Sequence, residues 1–293
     1  MLVSVVIRTL NEARHLPALL ESIAGQSLAG HGCEVVLVDS GSTDGTLDIA
    51  RQHGCRIVTI AKHEFSFGRS LNVGCKAAEG EALVFVSGHC IPRDPHWLAR
   101  LVAPLGVDGV VYSYGGQVGD TSTHFSEHQI FAKYFPPRSQ VPQQGFFCNN
   151  ANAALLRSAW QQTPFDEELT GLEDMHLAKQ LVAQGQRIAY VADAAVYHLH
   201  DESWRQVKRR FEREAIALRH IMPEVHIGLL DAVRYAASAI LLDWGAALGE
   251  RKLGRTLGDV VVYRVCQFWG AWRGNRAHRQ VSRAAKERYY FPR

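Results

Sequence analysis

Two polar loops within the first forty-six residues carry side chains that suit recognition of a nucleotide. The segment Thr9-Leu10-Asn11-Glu12 follows one apolar run, and Asp39-Ser-Gly-Ser-Thr-Asp follows the next. Asp39 can accept hydrogen bonds from a base N–H or a ribose hydroxyl, as acidic residues do where nucleotides bind open parallel sheets. The same residue types also form turns and helix N-caps without any ligand. Both interpretations are open on these residues alone.

The elements that must position these loops alternate between strand-like and helix-like segments. Short apolar runs rich in β-branched residues predict strands at 2–7, 34–38, 56–60 and 82–86. Such alternation is typical of an α/β protein whose mainly parallel sheet is covered by helices on both faces. Ligands of these sheets bind beyond the carboxyl ends of the strands, and there the polar segments 9–12, 39–44 and 87–90 lie.

Composition and charge limit the classes of protein to which the chain can belong. The chain has 293 residues, of which 47% are hydrophobic and 21% are charged, and these values exclude a disordered or fibrous protein. A net charge of +3 and the lack of a recognition motif argue against a nucleic-acid binder. Six cysteines without a C-x-x-C pair argue against a disulfide framework or a zinc ribbon, and they favour reduced thiols in a cytoplasm.

The sequence also predicts a cytoplasmic protein that is at most peripherally bound to the inner face of the cytoplasmic membrane. The first residues lack the pattern of a signal peptide, and no run reaches 18 uninterrupted apolar residues. Residues 271–293 hold seven Lys/Arg and one Glu among aromatic side chains, which suits an anionic membrane surface. A solvated helical subdomain or an oligomer interface fits this composition equally well.

Four ordered stretches resemble the family 2 glycosyltransferases, which are inverting GT-A enzymes that use nucleotide-sugars. They are SVVIRTLNEARHL, VVLVDSGSTDGT, FGRSLNVGCKAAEGEALVFVSG and GLEDMHLAKQLVAQG. The likeness is strongest to bacterial rhamnosyltransferase-like members that build surface polysaccharides. It implies a GT-A catalytic domain at 1–200, with a nucleotide half at about 1–115 and an acceptor half at about 116–200. A helical, basic C-terminal region would follow at 201–293.

The resemblance also implies roles for individual residues. The donor nucleotide would be bound by residues at the strand ends and on one helix: Thr9, Asn11, Glu12, Asp39, Ser40, Arg69, Asn72, Ser87 and His89. Asp174 would be the base that takes a proton from the acceptor hydroxyl, with Glu173 in support. The N-terminus of a helix would keep Asp174 ionised at neutral pH. Asn150 and Asn152, which two-residue spacing puts on one face of a strand, would contact the acceptor or the sugar.

The expected metal site departs from the family pattern. Where the family has Asp-x-Asp for Mg²⁺ or Mn²⁺, this chain has Ser87-Gly88-His89 and no carboxylate. Three outcomes are open: His89 is a metal ligand, His89 contacts phosphate directly, or transfer needs no metal. His198 or His200, which share one face by their spacing, would complete a mixed nitrogen and phosphate-oxygen site with His89.

The leading hypothesis is an inverting glycosyltransferase that moves a sugar from a nucleotide-sugar to a glycan or lipid-linked glycan in surface polysaccharide synthesis. UDP- and dTDP-sugars are the expected donors. A CMP-sugar is the alternative, because a monophosphate needs less help from a metal. A second hypothesis is a catalytically silent nucleotide- or carbohydrate-binding relative. A third is a nucleotidyltransferase on a similar sheet, which the absence of a Gly-rich basic loop after the first strand disfavours.

Overall fold

A computed structural model describes residues 1–28, 30, 32–200, 202–276 and 289–290, and this part of the chain divides into two compact units. Unit 1 comprises Met1–Asp120, Tyr134–Glu168 and Glu173–Leu199. Unit 2 comprises Thr121–Lys133, Leu169–Leu172 and His200–Arg293. The chain therefore changes unit at residue 200, and unit 2 also takes two short segments from before that point.

One mixed sheet forms the centre of unit 1. Its strands are β1 Leu2–Thr9, β2 Gly32–Asp39, β3 Arg56–Thr59, β4 Ala82–Ser87, β5 Cys90–Pro92, β6 Val110–Val118, β7 Asn152–Leu156 and β8 Arg187–His198. Their order across the sheet is β3-β2-β1-β4-β7-β6-β8-β5. The pairs among β1 to β4 and the pair of β6 with β8 are parallel, whereas β7 and β5 pair antiparallel to their neighbours. The predicted α/β fold with a mainly parallel sheet is confirmed.

Helices cover both faces of this sheet. The helices of the described chain are α1 Leu16–Ala24, α2 Thr46–Gln52, α3 Phe67–Ala77, α4 Trp97–Val102, α5 Phe125–Tyr134, α6 Arg157–Gln162, α7 Glu173–Ala183, α8 Trp204–Ile221, α9 Leu229–Gly249 and α10 Leu253–Arg276. Leu19 of α1 and Trp97 of α4 belong to one core of unit 1, and Leu71 of α3 and Leu177 of α7 belong to another. Alternate residues of the central strands face these two cores, so the strands are continuous apolar runs.

The parallel register aligns the ends of three strands. Thr9 at the end of β1 pairs with Asp39 at the end of β2, and Arg8 pairs with Ser87 at the end of β4. The loops that follow these strands therefore begin at one edge of the sheet, which is the edge where ligands of such sheets bind.

Unit 2 is helical, and its helices are held together by close backbone approach and by a buried ion pair. A Cβ atom built on Gly274 of α10 would lie 2.1 Å from the carbonyl oxygen of Glu212 on α8, so the two helices require glycine at this point. Arg264 of α10 donates to both carboxylate oxygens of Asp243 on α9, at 2.7 and 2.8 Å. Nowhere in the described part of the chain does a helix have both the length and the hydropathy needed to cross a membrane.

Most of the basic C-terminal region predicted from composition falls outside the described residues. Arg273 and Arg276 are described and exposed, at the end of α10. The other basic residues of that region are outside the described part: Arg279, Arg283, Lys286, Arg288 and Arg293.

Candidate active site

The loop after β2 is organised by the carboxylate of Asp39. This side chain is almost fully buried and accepts the backbone N–H groups of Gly41 and Ser42, at 2.8 and 3.0 Å, together with the Ser42 hydroxyl. Thr9 Oγ1 lies 3.4 Å from the same carboxylate, and the Ser40 hydroxyl donates to the Thr9 carbonyl oxygen. Asp39 therefore fixes the conformation of the loop, while its contact with a base stays a prediction.

Asn11 joins the loop after β1 to the loop after β2. Its side-chain oxygen accepts the N–H of Thr43 at 2.8 Å, and its own N–H donates to Ser42 Oγ at 2.9 Å. The residue has a φ of 58°, in the left-handed region that asparagine adopts more readily than most side chains. The N–H of Glu12 extends the junction by donating to Thr46 Oγ1. The two strand-end loops are thus one hydrogen-bonded unit.

The acidic pair at the start of α7 is buried and is connected to β1. Arg8 Nη1 lies 3.1 Å from Glu173 Oε1. Asp174 accepts the backbone N–H groups of Asn150 and Met175, at 2.8 and 2.7 Å, one on each carboxylate oxygen. Because Arg8 directly precedes the last residue of β1, its ion pair brings the acidic pair beside the strand-end loops. Sequence reasoning missed Arg8, although a charged residue within an otherwise buried strand is a signal that could have found it.

Burial raises the pKa of Asp174 to about 7, and the neighbouring carboxylate of Glu173 adds to the rise. The two backbone N–H donors and Arg8 oppose this shift without cancelling it. This direction is opposite to the one expected from a helix N-terminus, because the loss of hydration outweighs the two N–H donors and Arg8. A carboxylate whose pKa is near neutrality is well matched to taking a proton from a hydroxyl.

Asn150 and Asn152 have different surroundings, although their spacing predicted one shared strand face. β7 begins only at Asn152, and Asn150 lies in the turn before it. Asn152 is fully buried: its amide group donates to the carbonyl oxygens of Gly116 and Ala194, and its oxygen accepts the indole N–H of Trp97. The core thus uses every polar atom of the Asn152 side chain, and the contact of this residue with a sugar stays a prediction.

Asn150 has a donor that no described residue uses. Its Oδ1 accepts the hydroxyl of Tyr112, while its buried Nδ2 has no hydrogen-bond partner among the described residues. A buried donor without an acceptor costs stability, so such a group is expected to meet an acceptor supplied by a ligand or water. Tyr112 was not predicted as a site residue, because a tyrosine within an apolar strand has the pattern of a core residue.

The two residues predicted on α3 also differ. Asn72 is buried, and its side chain exchanges two hydrogen bonds with the backbone of Phe165 while its amide also donates to Glu167. Its side chain therefore holds the segment that precedes α7, and its contact with the nucleotide stays a prediction. Arg69 is partly exposed, 3.6 Å from Glu64 and 3.7 Å from Glu167. Its contact with phosphate stays a prediction.

His89 and His198 face each other within unit 1. Their Nε2 atoms lie 3.2 Å apart, and their rings stack with centroids 5.1 Å apart. Nδ1 of His89 is 2.9 Å from Oε1 of Glu12, and Nδ1 of His198 is 2.7 Å from Oε1 of Gln117. Gln117 donates from its Nε2 to Asn149, so its oxygen is the atom directed at His198. Gln117 was not predicted, although it is a polar residue in a buried strand.

These partners assign the proton positions on both rings. A carboxylate oxygen and an amide oxygen accept, so each ring carries its N–H at Nδ1 and directs Nε2 at the other ring. Two nitrogen ligands of one ion are separated by about 3.0–3.4 Å when the bonds are 2.0–2.1 Å long. The histidine pair therefore fits a divalent cation.

The segment Ser87-Gly88-His89 is shaped around Glu12. A Cβ atom on Gly88 would lie 2.8 Å from Cγ of Glu12, so glycine leaves the room that the carboxylate needs to reach His89. The N–H of Ser87 donates to the carbonyl oxygen of Ala151 at 3.3 Å. The contact of Ser87 with a donor nucleotide stays a prediction.

His200 belongs to unit 2, where it pairs with Glu127. Its Nδ1 lies 2.6 Å from Glu127 Oε1, and Arg210 Nη2 lies 2.7 Å from the same oxygen. Burial and Arg210 lower the pKa of His200. Burial opposes ionisation of Glu127, but Arg210 and His200 outweigh it and lower its pKa to about 2. Because Arg210 already neutralises this cluster, the metal-binding role of His200 stays a prediction.

Comparison with known proteins gives a consistent result. The sequence model described as Glycosyl transferase family 2 matches residues 4–163. Glycosyltransferase AglE of Haloferax volcanii is 25% identical over 210 residues, which are 67% of this chain and 66% of AglE. The O-antigen chain rhamnosyltransferase WbaN of Salmonella anatum is 26% identical over 201 residues, which are 64% of this chain and 63% of WbaN. The matched region spans just under two thirds of these relatives.

Solved structures share the fold at low identity. The mannosyltransferase PcManGT from Pyrobaculum calidifontis, in complex with GDP-Man and Mn²⁺, has a TM-score of 0.60 at 20% identity, with 91% of this chain and 87% of that chain covered. Glucosyl-3-phosphoglycerate synthase from Mycobacterium tuberculosis, in complex with Mn²⁺, UDP-Glc and phosphoglyceric acid, has a TM-score of 0.54 at 20% identity, covering 75% and 79%. The predicted GT-A fold is confirmed.

Proposed function

Because this chain belongs to glycosyl transferase family 2, we propose that it is an inverting glycosyltransferase that moves a sugar from a nucleotide-sugar to a hydroxyl of a glycan or lipid-linked glycan. The observation that carries this proposal is the ion pair of Arg8 with Glu173, which joins the buried acidic pair to the strand-end loops. The similarity to WbaN, an O-antigen chain rhamnosyltransferase, supports a role in surface polysaccharide synthesis. UDP- and dTDP-sugars are the proposed donors, with a CMP-sugar as the alternative.

In the proposed reaction, the acceptor oxygen attacks the anomeric carbon on the face opposite the leaving nucleotide. The new carbon–oxygen bond forms as the bond from the anomeric carbon to the phosphate oxygen breaks, so the configuration inverts. Asp174 takes the proton of the hydroxyl, and the nucleotide leaves with the electron pair of the broken bond. Burial raises the pKa of Asp174 to about 7, which makes its carboxylate a stronger base than an exposed aspartate.

Neighbouring residues position this base. The backbone N–H of Asn150 holds one oxygen of Asp174, and the backbone N–H of Met175 holds the other. The buried Nδ2 of Asn150 is available to an oxygen of the sugar or the acceptor. A base oriented before substrate binds needs little reorganisation during transfer, and this positioning lowers the barrier.

A divalent cation would be bound by Nε2 of His89 and Nε2 of His198, with Glu12 and Gln117 orienting the two rings. Such a cation supplies positive charge to the departing diphosphate. Nitrogen ligands suit Mn²⁺ and later transition metals better than Mg²⁺, which prefers oxygen. The Mn²⁺ in the complexes of PcManGT and of glucosyl-3-phosphoglycerate synthase supports this choice of metal.

The proposed metal binding by the histidine pair can be tested through metal affinity, without a glycan acceptor. We expect Mn²⁺ to bind more tightly than Mg²⁺ when a nucleoside diphosphate is present, and we expect His89→Ala and His198→Ala each to weaken Mn²⁺ binding by about tenfold or more. Calorimetry and the electron paramagnetic resonance signal of free Mn²⁺ measure both affinities. His53→Ala changes an exposed histidine of unit 1 and should bind Mn²⁺ as wild type does. Equal affinity in all three variants would remove the pair from metal binding.

The proposed location is the cytoplasm, with contact at the inner face of the cytoplasmic membrane when the acceptor is lipid-linked. The sequence-based argument for this contact came from the basic region at 271–293. Within the described residues, Arg273 and Arg276 remain as its support.

A nucleotide panel tests the proposed function most broadly. UDP, dTDP, GDP and CMP are titrated into the protein by calorimetry with Mn²⁺ or with a chelator, and each matching nucleotide-sugar is then assayed for nucleotide release with glycan acceptors. Binding of one nucleotide and release from its sugar would support a transferase. Binding without release from any sugar would favour the silent relative, which the replaced Asp-x-Asp motivates. If none of the nucleotides binds, both proposals fail.

A further inference from the structure

Helices α9 and α10 expose an apolar surface, here called the α9–α10 surface. Its members are Leu230, Val233, Leu241, Leu242 and Leu248 of α9 and Leu257, Val262, Val265 and Trp269 of α10. Leu230 is 85% exposed, and Leu241 and Leu248 are each 65% exposed. Large apolar side chains are scattered singly over ordinary protein surfaces, whereas a continuous group of them marks an interaction site.

The exposed residues follow helical periodicity. Leu230, Leu241 and Leu248 recur at multiples of whole turns, so they form one stripe along α9 that is about 27 Å long at 1.5 Å per residue. Val262, Val265 and Trp269 repeat at intervals of three and four residues, which gives α10 a stripe of its own. The surface therefore runs along most of α9 and along the middle of α10, rather than forming a local patch.

Buried contacts on the opposite side hold the two helices in this orientation. Asp243 of α9 accepts two hydrogen bonds from Arg264 of α10 and one from the hydroxyl of Ser126, at 2.6 Å. An exposed hydrogen bond also joins the two helices: the indole N–H of Trp244 donates to the carbonyl oxygen of Leu257 at 3.2 Å. Because these contacts fix the rotation of α9 against α10, the leucines cannot turn inward without breaking a buried ion pair.

Positive charge borders the α9–α10 surface at both ends. The exposed cations of the two helices and the turn between them are Arg234, Arg251, Lys252, Arg255, Arg273 and Arg276. Three of these cations are paired with carboxylates: Lys252 lies 2.7 Å from Glu250, Arg234 lies 3.7 Å from Asp231, and Arg273 lies 3.6 Å from Glu212. The other three, Arg251, Arg255 and Arg276, are exposed and leave the border of the surface with an excess of positive charge.

We propose that the α9–α10 surface docks on an anionic phospholipid bilayer. The leucines would lie at the boundary between headgroups and acyl chains, and the cations would contact lipid phosphates, as in helices that lie in the plane of a membrane. A second copy of this chain is the competing occupant, but it would bring cations opposite cations. The charge pattern therefore favours a lipid surface. This inference rests on the membrane contact in the proposed function and assigns a surface to it, but it does not depend on the proposed transferase activity.

Vesicle binding by the full chain tests the proposal. Wild type is sedimented with vesicles of phosphatidylcholine, either alone or mixed with phosphatidylglycerol, and we expect binding to the mixed vesicles to be about tenfold tighter and to weaken with salt. Leu230→Asp combined with Leu241→Asp should lower this binding by about tenfold or more, because two charges replace inserted leucines. Val107→Asp is the matched control, since Val107 is a 53% exposed valine of unit 1, and it should bind vesicles as wild type does.

Two further measurements keep the outcomes distinct. Arg251→Gln combined with Arg255→Gln leaves the leucines unchanged and should lower binding to the anionic vesicles by about fivefold or more. Light scattering reports the oligomeric state of each variant, and nucleotide titration and circular dichroism report whether it is folded. The proposal is overturned if wild type binds neither vesicle type. It is also overturned if the leucine variant binds the vesicles as tightly as wild type does. A wild-type dimer that the leucine variant dissociates, without vesicle binding, assigns the surface to a second copy.

Discussion

The proposed base Asp174 owes its raised pKa to its surroundings. The resemblance to family 2 identified the residue, but its raised pKa depends on burial and on Glu173, and burial depends on the turn that brings Asn150 to its carboxylate. Residues more than twenty positions apart create this environment. A local reading of the Glu-Asp pair could therefore not predict the direction of the shift.

Asp174→Asn is expected to change how stability depends on pH. The folded protein binds a proton at Asp174 more tightly than the unfolded chain does. The contribution of this proton to the free energy of unfolding is therefore fully present below about pH 4, and it is lost as pH rises through about 7. The Asp174→Asn variant has no carboxyl group to ionise at this position, so it does not lose stability in this way as pH rises. Its free energy of unfolding, relative to wild type, should therefore rise by about 3 kcal/mol between pH 4 and pH 8.

Denaturant titrations at several pH values measure this difference. Asp48→Asn, an exposed aspartate on α2, is the matched control and should show no such trend. A difference between Asp174→Asn and wild type that stays constant across the window would show that Asp174 titrates like an exposed aspartate.

The amide residues show where prediction from sequence ends. Asn72 and Asn152 occupy positions that the resemblance implies for ligand binding, yet their side chains hydrogen-bond Phe165 and Trp97 within unit 1. Those partners come from distant segments, and spacing carries no information about them. Asn150, by contrast, has a buried donor without a partner in the described chain. Only coordinates distinguish the structural amides from the available one.

At the scale of elements, the predictions succeeded for the apolar, β-branched runs of the first ninety residues. The four runs expected at 2–7, 34–38, 56–60 and 82–86 correspond to β1, β2, β3 and β4. β1 and β4 are continuous apolar runs because each has a core on both faces, whereas β3 lies at the edge of the sheet and is partly exposed. The antiparallel insertion of β7 between β4 and β6 was not predicted, since strand direction depends on the neighbours rather than on local sequence.

The contact of α8 with α10 gives a prediction at this scale. Gly274→Ala puts a methyl group 2.1 Å from the Glu212 carbonyl oxygen, so the helices must separate, and the free energy of unfolding should fall by about 2 kcal/mol. Gly258→Ala changes a glycine of the same helix whose Cβ would meet nothing within 4 Å, and it should raise stability by about 0.5–1 kcal/mol.

Thermal and chemical unfolding of the two alanine variants, compared with wild type, measures these opposite signs. Stabilisation by Gly274→Ala would contradict the close approach of α8 and α10, because helix propensity would then be the dominant effect at both positions.

At the scale of the whole molecule, the sequence indicates a change near residue 200 but not the composition of unit 2. Charge and helical periodicity change there, whereas the residues of α5 and the segment Leu169–Leu172 join unit 2 from far upstream in the chain. Polar contacts explain why α5 joins unit 2: Ser126 donates to the buried Asp243, and His124 lies 2.8 Å from the partly exposed Asp259. Polar residues that pair across such distances look like surface residues in a linear sequence.

In the proposed reaction, one base, Asp174, activates an acceptor beside a nucleotide-sugar bound at the strand ends. The most direct test measures donor affinity and nucleotide release on the same preparations of wild type and Asp174→Asn, with the donor and acceptor identified by the nucleotide panel. We predict donor affinity within about threefold of wild type and release slowed by about a hundredfold or more. Release at the wild-type rate by Asp174→Asn would contradict the account.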